Sequence, residues 1–302
     1  MMLSGLFLGC MLLFLATLFL VCYYRHKYLG KLKVAALIII KQLRILIELI
    51  PQHRGAANAF LKGDKTFKAR LANVGVKVDK EFYRLVALSQ DYQEISAQNY
   101  SLMVKDWQTI QQNMSTLTAE KSFELHTLLI TQILNAMKDV SKEAYLDTNL
   151  DHTESQLLSV LVKGLPQLAE ILGQARGIGL GVAAQGKINV THSVRLNYLA
   201  NRIQHSLEKT LMPLQQLTVL TNRCEHTAKL LNQCTPAVNE FLRCLIQDLL
   251  KSSNISIEPD QFYLIGTNAI EKVFALFDAS CNLYDTIYKS RSRYVINDIL
   301  KS

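Results

Sequence analysis

The chain has 302 residues, 49% of them hydrophobic, with 13 Gly and 5 Pro. That length and composition suit one large domain or two small ones and exclude a disordered chain. Lys and Arg number 33 against 25 Asp and Glu, giving a formal charge of +8. This balance suits an anionic lipid surface or a small anion; the basic residues are scattered with no aromatic–basic motif, so nucleic acid is not an expected partner.

The first element is an apolar run. From Leu3 to Tyr24 no residue is charged, and Arg25, Lys27, Lys31 and Lys33 come next, beside Tyr23 and Tyr24. About 20 apolar residues cross a bilayer as a helix, so residues 1–24 read as a single transmembrane anchor. No positive residue precedes the run and no small-x-small site comes after it, which disfavours a cleaved signal peptide. The basic flank places the body of the protein in the cytoplasm by the positive-inside rule.

Helical periodicity dominates the remainder of the chain. One helix spans 31–62, closed by Gly63 with Asp64 as the cap of a second, 65–90. A third runs over 95–114, and a fourth begins after the break at 115–118. The polar stretch 147–152 divides the chain into halves, 25–150 and 151–302. Four further helices cover 153–186, 190–211, 214–250 and 260–299, with Pro213, Pro236 and Pro259 at starts or kinks. The expected fold is all-α: a transmembrane helix, then two stacked up-down four-helix bundles. Cys224, Cys234, Cys244 and Cys281 lack metal-ligand spacing and read as buried thiols, so no metal or other cofactor is expected.

Each half opens with the same core. In "ELIPQHRGAAN" and "EILGQARGIGL", Glu48, Gln52, Arg54 and Gly55 align with Glu170, Gln174, Arg176 and Gly177 at an offset of 122 positions. Pro51, Gly55, Ala59 and Gly63 then match Gly173, Gly177, Gly181 and Gln185, a four-residue step that lies along one helix face. Helical glycines cost about 1 kcal/mol each, so this ridge is expected to let another helix pass closely. Pro51 is expected to make the backbone before Arg54 irregular.

Arg54 and Arg176 lie in otherwise apolar segments, where a guanidinium needs a partner. One solution is an internal ion pair, Arg54 with Glu48 or another acid and Arg176 with Glu170; at i+6 the two members of a copy lie about 240° apart around the helix, so any such pair crosses helices. The other is that both arginines converge on a small planar oxyanion, which the guanidinium fork matches. His53 is a candidate additional donor. His126, His152, His192, His205 and His226 are scattered and no nucleophile stands beside a base, so an enzyme is not expected.

Three stretches resemble the nitrate- and nitrite-sensing domain of bacterial receptors and regulators: "LIELIPQHRGAANAFLKGD", "LLSVLVKGLPQLAEILGQARGIGLGVAAQGKI" and "LIGTNAIEKVFALFDASCNLYDTIYKSRSRY", the last with Thr267, Ile270 and a terminal arginine. They bracket residues 43–294. The resemblance implies two four-helix bundles that bind nitrate or nitrite through arginines near their junction. Arg54 and Arg176 match its Arg-Gly positions, with Gly55 and Gly177 beside them. His53 stands where the family often has a charged residue. A further arginine from the second half is implied; Arg195, Arg202 and Arg223 are candidates, and Arg202 is carried forward. Family members usually continue into a kinase, chemoreceptor or RNA-binding module, whereas this chain ends at Ser302, and membrane receptors of the family commonly face outward.

The expected function is thus a membrane-anchored, non-enzymatic sensor of nitrate or nitrite in a bacterial inner membrane. It would signal as a homodimer or to a separate partner. A membrane-tethered helical scaffold without an anion is the alternative.

Overall fold

Apolar stripes at helical spacing decide the architecture. The computed structural model describes residues 2–92, 95, 100–148, 150, 152–220, 224–252 and 254–299; side chains at 2–10, 26, 153, 217–220 and 290–299 lie outside this set. Among the described residues the regular structure is all-helical: α1 (Met2–Leu61), α2 (Phe67–Asp91), α3 (Tyr100–Gln112), α4 (Ala119–Glu143), α5 (His152–Ser159), α6 (Leu165–Gln185), α7 (Val190–Ser206), α8 (Met212–Leu220), α9 (Glu225–Cys244) and α10 (Pro259–Ile299).

α1 packs on α2 and α4, and α10 packs on α6 and α9. α1 also meets α6, which brings the two Arg-Gly segments into one neighbourhood. Their faces obey the periodicity: Leu43, Leu46, Ile47 and Ile50 of α1, and Leu168, Ile171, Leu172 and Ala175 of α6, are buried. Gly63, at φ 107°, ends α1, and Asp64 accepts a hydrogen bond from the Thr66 amide at 3.0 Å. Thr118 caps α4 by accepting from the Lys121 amide. Cys224, Cys234, Cys244 and Cys281 are buried and form no disulfide among the described residues.

Four expectations differ from the structure. Among the described residues no helix is long and apolar enough to cross a membrane. The expected span, Leu3–Tyr24, has its first side chains outside the described set, and the rest of it, 11–24, is the exposed start of α1, whose burial begins near Leu32. Second, the helix expected over 214–250 is two: α8 continues from α7 through a π-helical turn and ends at Leu220, and α9 starts at Glu225. Third, Pro51 does not make the backbone of α1 irregular, whereas Pro259 opens α10 as expected. α1 is unbroken through Pro51. π-helical turns at Val160–Gly164 and Leu207–Leu211 precede Pro166 and Pro213, and the Leu165 and Met212 amides donate to the carbonyls five residues back. Widening the turn accommodates a proline that has no N–H to give.

Fourth, the glycine ridge meets another helix only at its first step, where a Cβ on Gly173 would lie 3.8 Å from Pro51 Cβ and 3.6 Å from Arg54 Nη2. A Cβ on Gly55, Gly177 or Gly181 meets nothing within 4 Å. The close approaches use other glycines: a Cβ on Gly164 would lie 2.5 Å from Thr210, one on Gly266 would lie 2.8 Å from Phe241, and one on Gly179 would collide with the Phe262 ring. Gly179 and Gly266 thereby set the α6–α10 crossing. Gly179→Ala is expected to lower unfolding stability by about 1–3 kcal/mol, whereas Gly181→Ala, in open space, raises it by up to about 1 kcal/mol through helix propensity. Urea unfolding of the two variants checks the contrast.

Candidate anion site

Arg54 projects from α1 into the seam with α6, where it is 2% exposed. Its fork meets the Glu170 carboxylate: Nη1 donates to Oε1 at 2.7 Å and Nη2 to Oε2 at 3.2 Å. Nη1 also donates to Thr127 Oγ1 at 2.9 Å, and the guanidinium carbon lies 4.7 Å from the Phe123 ring centre. Gln174 Nε2 donates to Glu170 Oε1 at 2.6 Å. The pair therefore crosses the two halves of the chain: the arginine of the first copy takes the glutamate of the second.

Arg176 sits in the matching surroundings. Its Nη1 donates to Thr267 Oγ1 at 2.7 Å, and its guanidinium lies 4.8 Å from the Tyr263 ring centre. Phe123 and Thr127 on α4 and Tyr263 and Thr267 on α10 are both aromatic-x-x-x-Thr, one helical turn long, so each arginine has the same two supports. The acid is what differs. Among the described residues Arg176 has no ion pair, and Glu48, the counterpart of Glu170, is held by Arg44 Nη1 at 2.6 Å.

Arg176 instead lines a cavity of about 50 Å³ with Glu48, Pro51, Gln52, Gly173, Thr267 and Glu271, walled by Ile47, Ala169, Ile270 and Phe274. A water needs roughly 10–15 Å³ on this measure, so the space suits a few waters or one small ion. Burial lowers the Arg176 pKa, and the nearby Arg54 and Arg70 charges push the same way against Tyr263 and Glu271. An anion here would relieve that penalty. Arg70 Nη2 donates to the Tyr263 hydroxyl at 3.0 Å. Burial would raise the Tyr263 pKa, but Arg176 and Arg70 outweigh it and lower it.

The remaining candidates fall outside the cavity. His53, 3% exposed, lies behind Arg54 with its Nδ1 2.8 Å from His126 Nε2 and its ring edge-on to Trp107. His126 Nδ1 is 2.6 Å from the Ser122 carbonyl, which only accepts, so that nitrogen carries the proton and His53 donates to Nε2. Gly55 and Gly177 do not line the cavity. Arg202 lies over Tyr198, one turn back on α7, at 5.7 Å. Arg195 approaches more closely, 5.3 Å from the Phe123 ring centre that Arg54 also covers. Arg223 lies outside the described residues. The supports Phe123, Thr127 and Tyr263, and the Arg44 clamp on Glu48, are absent from the sequence-based expectation; their signal is the aromatic-x-x-x-Thr repeat.

No protein-family model matches the chain. No curated protein matches it. Among solved structures it is similar to the NasR transcription antiterminator, with a TM-score of 0.61 and 16% identity, over 88% of this chain and 74% of that one. At that identity the likeness concerns the fold.

Glu170→Gln leaves a buried guanidinium without its countercharge and is expected to cost about 3–5 kcal/mol, while the double change Arg54→Met with Glu170→Met costs far less. Chemical unfolding distinguishes them. The histidine pair generates a second expectation. Burial lowers the pKa of His53 to about 4 and of His126 to about 3. An unfolded chain protonates both rings as pH falls through about 6.5 and the folded chain does not. Stability is therefore highest above about pH 6.5 and falls toward pH 4 by up to about 1.4 kcal/mol per pH unit for each ring. Urea midpoints between pH 7 and pH 5 check the slope, and His126→Gln flattens it.

Proposed function

We propose that the chain is a membrane-anchored, non-enzymatic sensor module, built as two stacked four-helix bundles, that binds nitrate or nitrite in the cavity at Arg176. The observation that carries this reading is a guanidinium lining a cavity of about 50 Å³ with no ion-paired carboxylate among the described residues, while its twin, Arg54, is saturated by Glu170. Arg176 offers planar donors, Gln52 an amide N–H₂ and Thr267 a hydroxyl, a donor set suited to a small planar oxyanion. Thr267 accepts from Arg176, and its hydroxyl also bonds the Tyr263 side chain, from which an anion would have to draw it. The resemblance of the Arg-Gly segments to the nitrate- and nitrite-sensing family supports the choice of anion, and the fold likeness to a transcription antiterminator supports a regulatory role.

Arg54 takes a different part from the one its sequence position implies. It fastens α1 to α6 and so fixes the wall of the cavity. The ligand touches α1 through Gln52, α6 through Arg176 and α10 through Thr267, and therefore favours one arrangement of these helices over others. An equilibrium moves only as far as that difference in affinity. The signal leaves along α1, whose apolar, exposed 11–24 stretch anchors in the membrane, to a second copy or a separate partner.

The Arg54–Glu170 pair itself favours the second reading, a membrane-tethered helical scaffold that binds no anion. Calorimetric titration of the full-length chain in detergent separates the two. The sensor gives heat with nitrate or nitrite above a chloride control, and a rise in melting temperature equivalent to about 2.7 kcal/mol at a hundredfold excess over Kd; Arg176→Ala removes both. Folded protein without such heat is the scaffold. For the anchor, full-length protein is expected to stay with membranes through alkaline carbonate extraction, and release into the supernatant rejects it.

A further inference from the structure

The two halves hold the same four-part arrangement: an arginine, a threonine, an aromatic ring and a glutamate one turn before a glutamine. In the second copy Glu170 points to Arg54 and closes the site. In the first, Glu48 shares a cavity wall with Arg176 but bonds elsewhere, to Arg44 at 2.6 Å. Arg44 is itself fixed: Nη2 donates to Asp278 Oδ2 at 3.0 Å, and the guanidinium lies 4.5 Å from the Phe274 ring centre.

The counterparts of these residues explain why one glutamate is diverted and the other is not. At the position equivalent to Arg44 the second copy has Pro166, and at the position equivalent to Asp278 the first half has Lys138. Among the described residues no second cation pairs with Glu170. Glu271, the other acid on the cavity wall, is exposed and forms no ion pair with Arg176 among the described residues.

We infer that Arg44 is a positioning residue for the anion site: it holds the Glu48 carboxylate away from Arg176, and so keeps open the place that the other half fills with its own glutamate. Without Arg44, Glu48 turns to Arg176 as an internal ligand and competes with any added anion. The effect on nitrate rests on the sensor reading above; the movement of Glu48 does not.

The test uses full-length protein. Arg44→Met is expected to weaken nitrate binding about tenfold or more, the scale of coupling between neighbouring charged groups, and Arg44→Met with Glu48→Gln is expected to restore it. A merely structural Arg44 would leave the double variant as weak as the single one. Unchanged binding in Arg44→Met, or no restoration in the double variant, overturns the inference. Arg44→Gln, which keeps a donor over Phe274, replaces the Met variant if that fails to fold. If nitrate gives no heat even in the unaltered chain, the sensor reading fails and the inference is judged on stability alone. Melting temperatures of Glu48→Gln, Arg176→Met and their combination form a cycle, measured with and without Arg44→Met. Coupling that appears only when Arg44 is removed supports the gate, and equal coupling in both backgrounds sinks it.

Discussion

A buried ion pair between α1 and α6 organises this protein. Arg54 and Glu170 are 2% and 3% exposed, and two charges that deep are costly unless their remaining donors and acceptors are used. Here they are: Thr127 takes one Arg54 N–H, Gln174 donates to Glu170, and the Phe123 ring covers the guanidinium face. Because the pair joins residues 116 positions apart, it also fixes how the two Arg-Gly segments lie against each other. The cavity at Arg176 exists in the shape it has because that crossing is held.

Duplication with one difference is the theme of the site. Both arginines are buttressed by an aromatic ring and a threonine one turn apart, and both copies keep a glutamate and a glutamine four positions apart. Only the fate of the glutamate separates them. In low-dielectric surroundings a carboxylate near a guanidinium is hard to keep apart from it without a stronger claim elsewhere. Arg44, braced by Asp278 and Phe274, makes that claim on Glu48. The result is one saturated arginine that acts as structure and one whose charge burial and neighbouring cations leave under-compensated.

Much of the helical framework is legible in the sequence, because Gly63 at the end of α1 and Thr118 at the start of α4 are local signals that act within a turn or two. The π-helical turns before Pro166 and Pro213 are not legible, since proline reads equally as a kink, a start or a widened turn. The glycines misled for a related reason. A four-residue step marks a face of α6, but which face meets α10 depends on the crossing, and Gly179 with Gly266 occupies it while Gly181 does not. The repeated Glu-x-x-x-Gln-x-Arg-Gly core does locate both arginines at one junction, and an internal pair across helices is among its readings. That Arg54 takes Glu170, not Glu48, depends on the approach of α1 to α6, a distance no local pattern encodes. The supporting rings were missed because Phe123 and Tyr263 differ in identity and share only their spacing to a threonine.

A small oxyanion at Arg176 would occupy the place a glutamate occupies at Arg54. A crystal structure of the full-length chain grown in nitrate tests this most directly. The predicted result is trigonal planar density within hydrogen-bonding distance of Arg176, Gln52 and Thr267, with Glu48 still on Arg44 and Glu170 still on Arg54. A Glu48 carboxylate in that density, or a cavity holding only water at saturating nitrate, would contradict it.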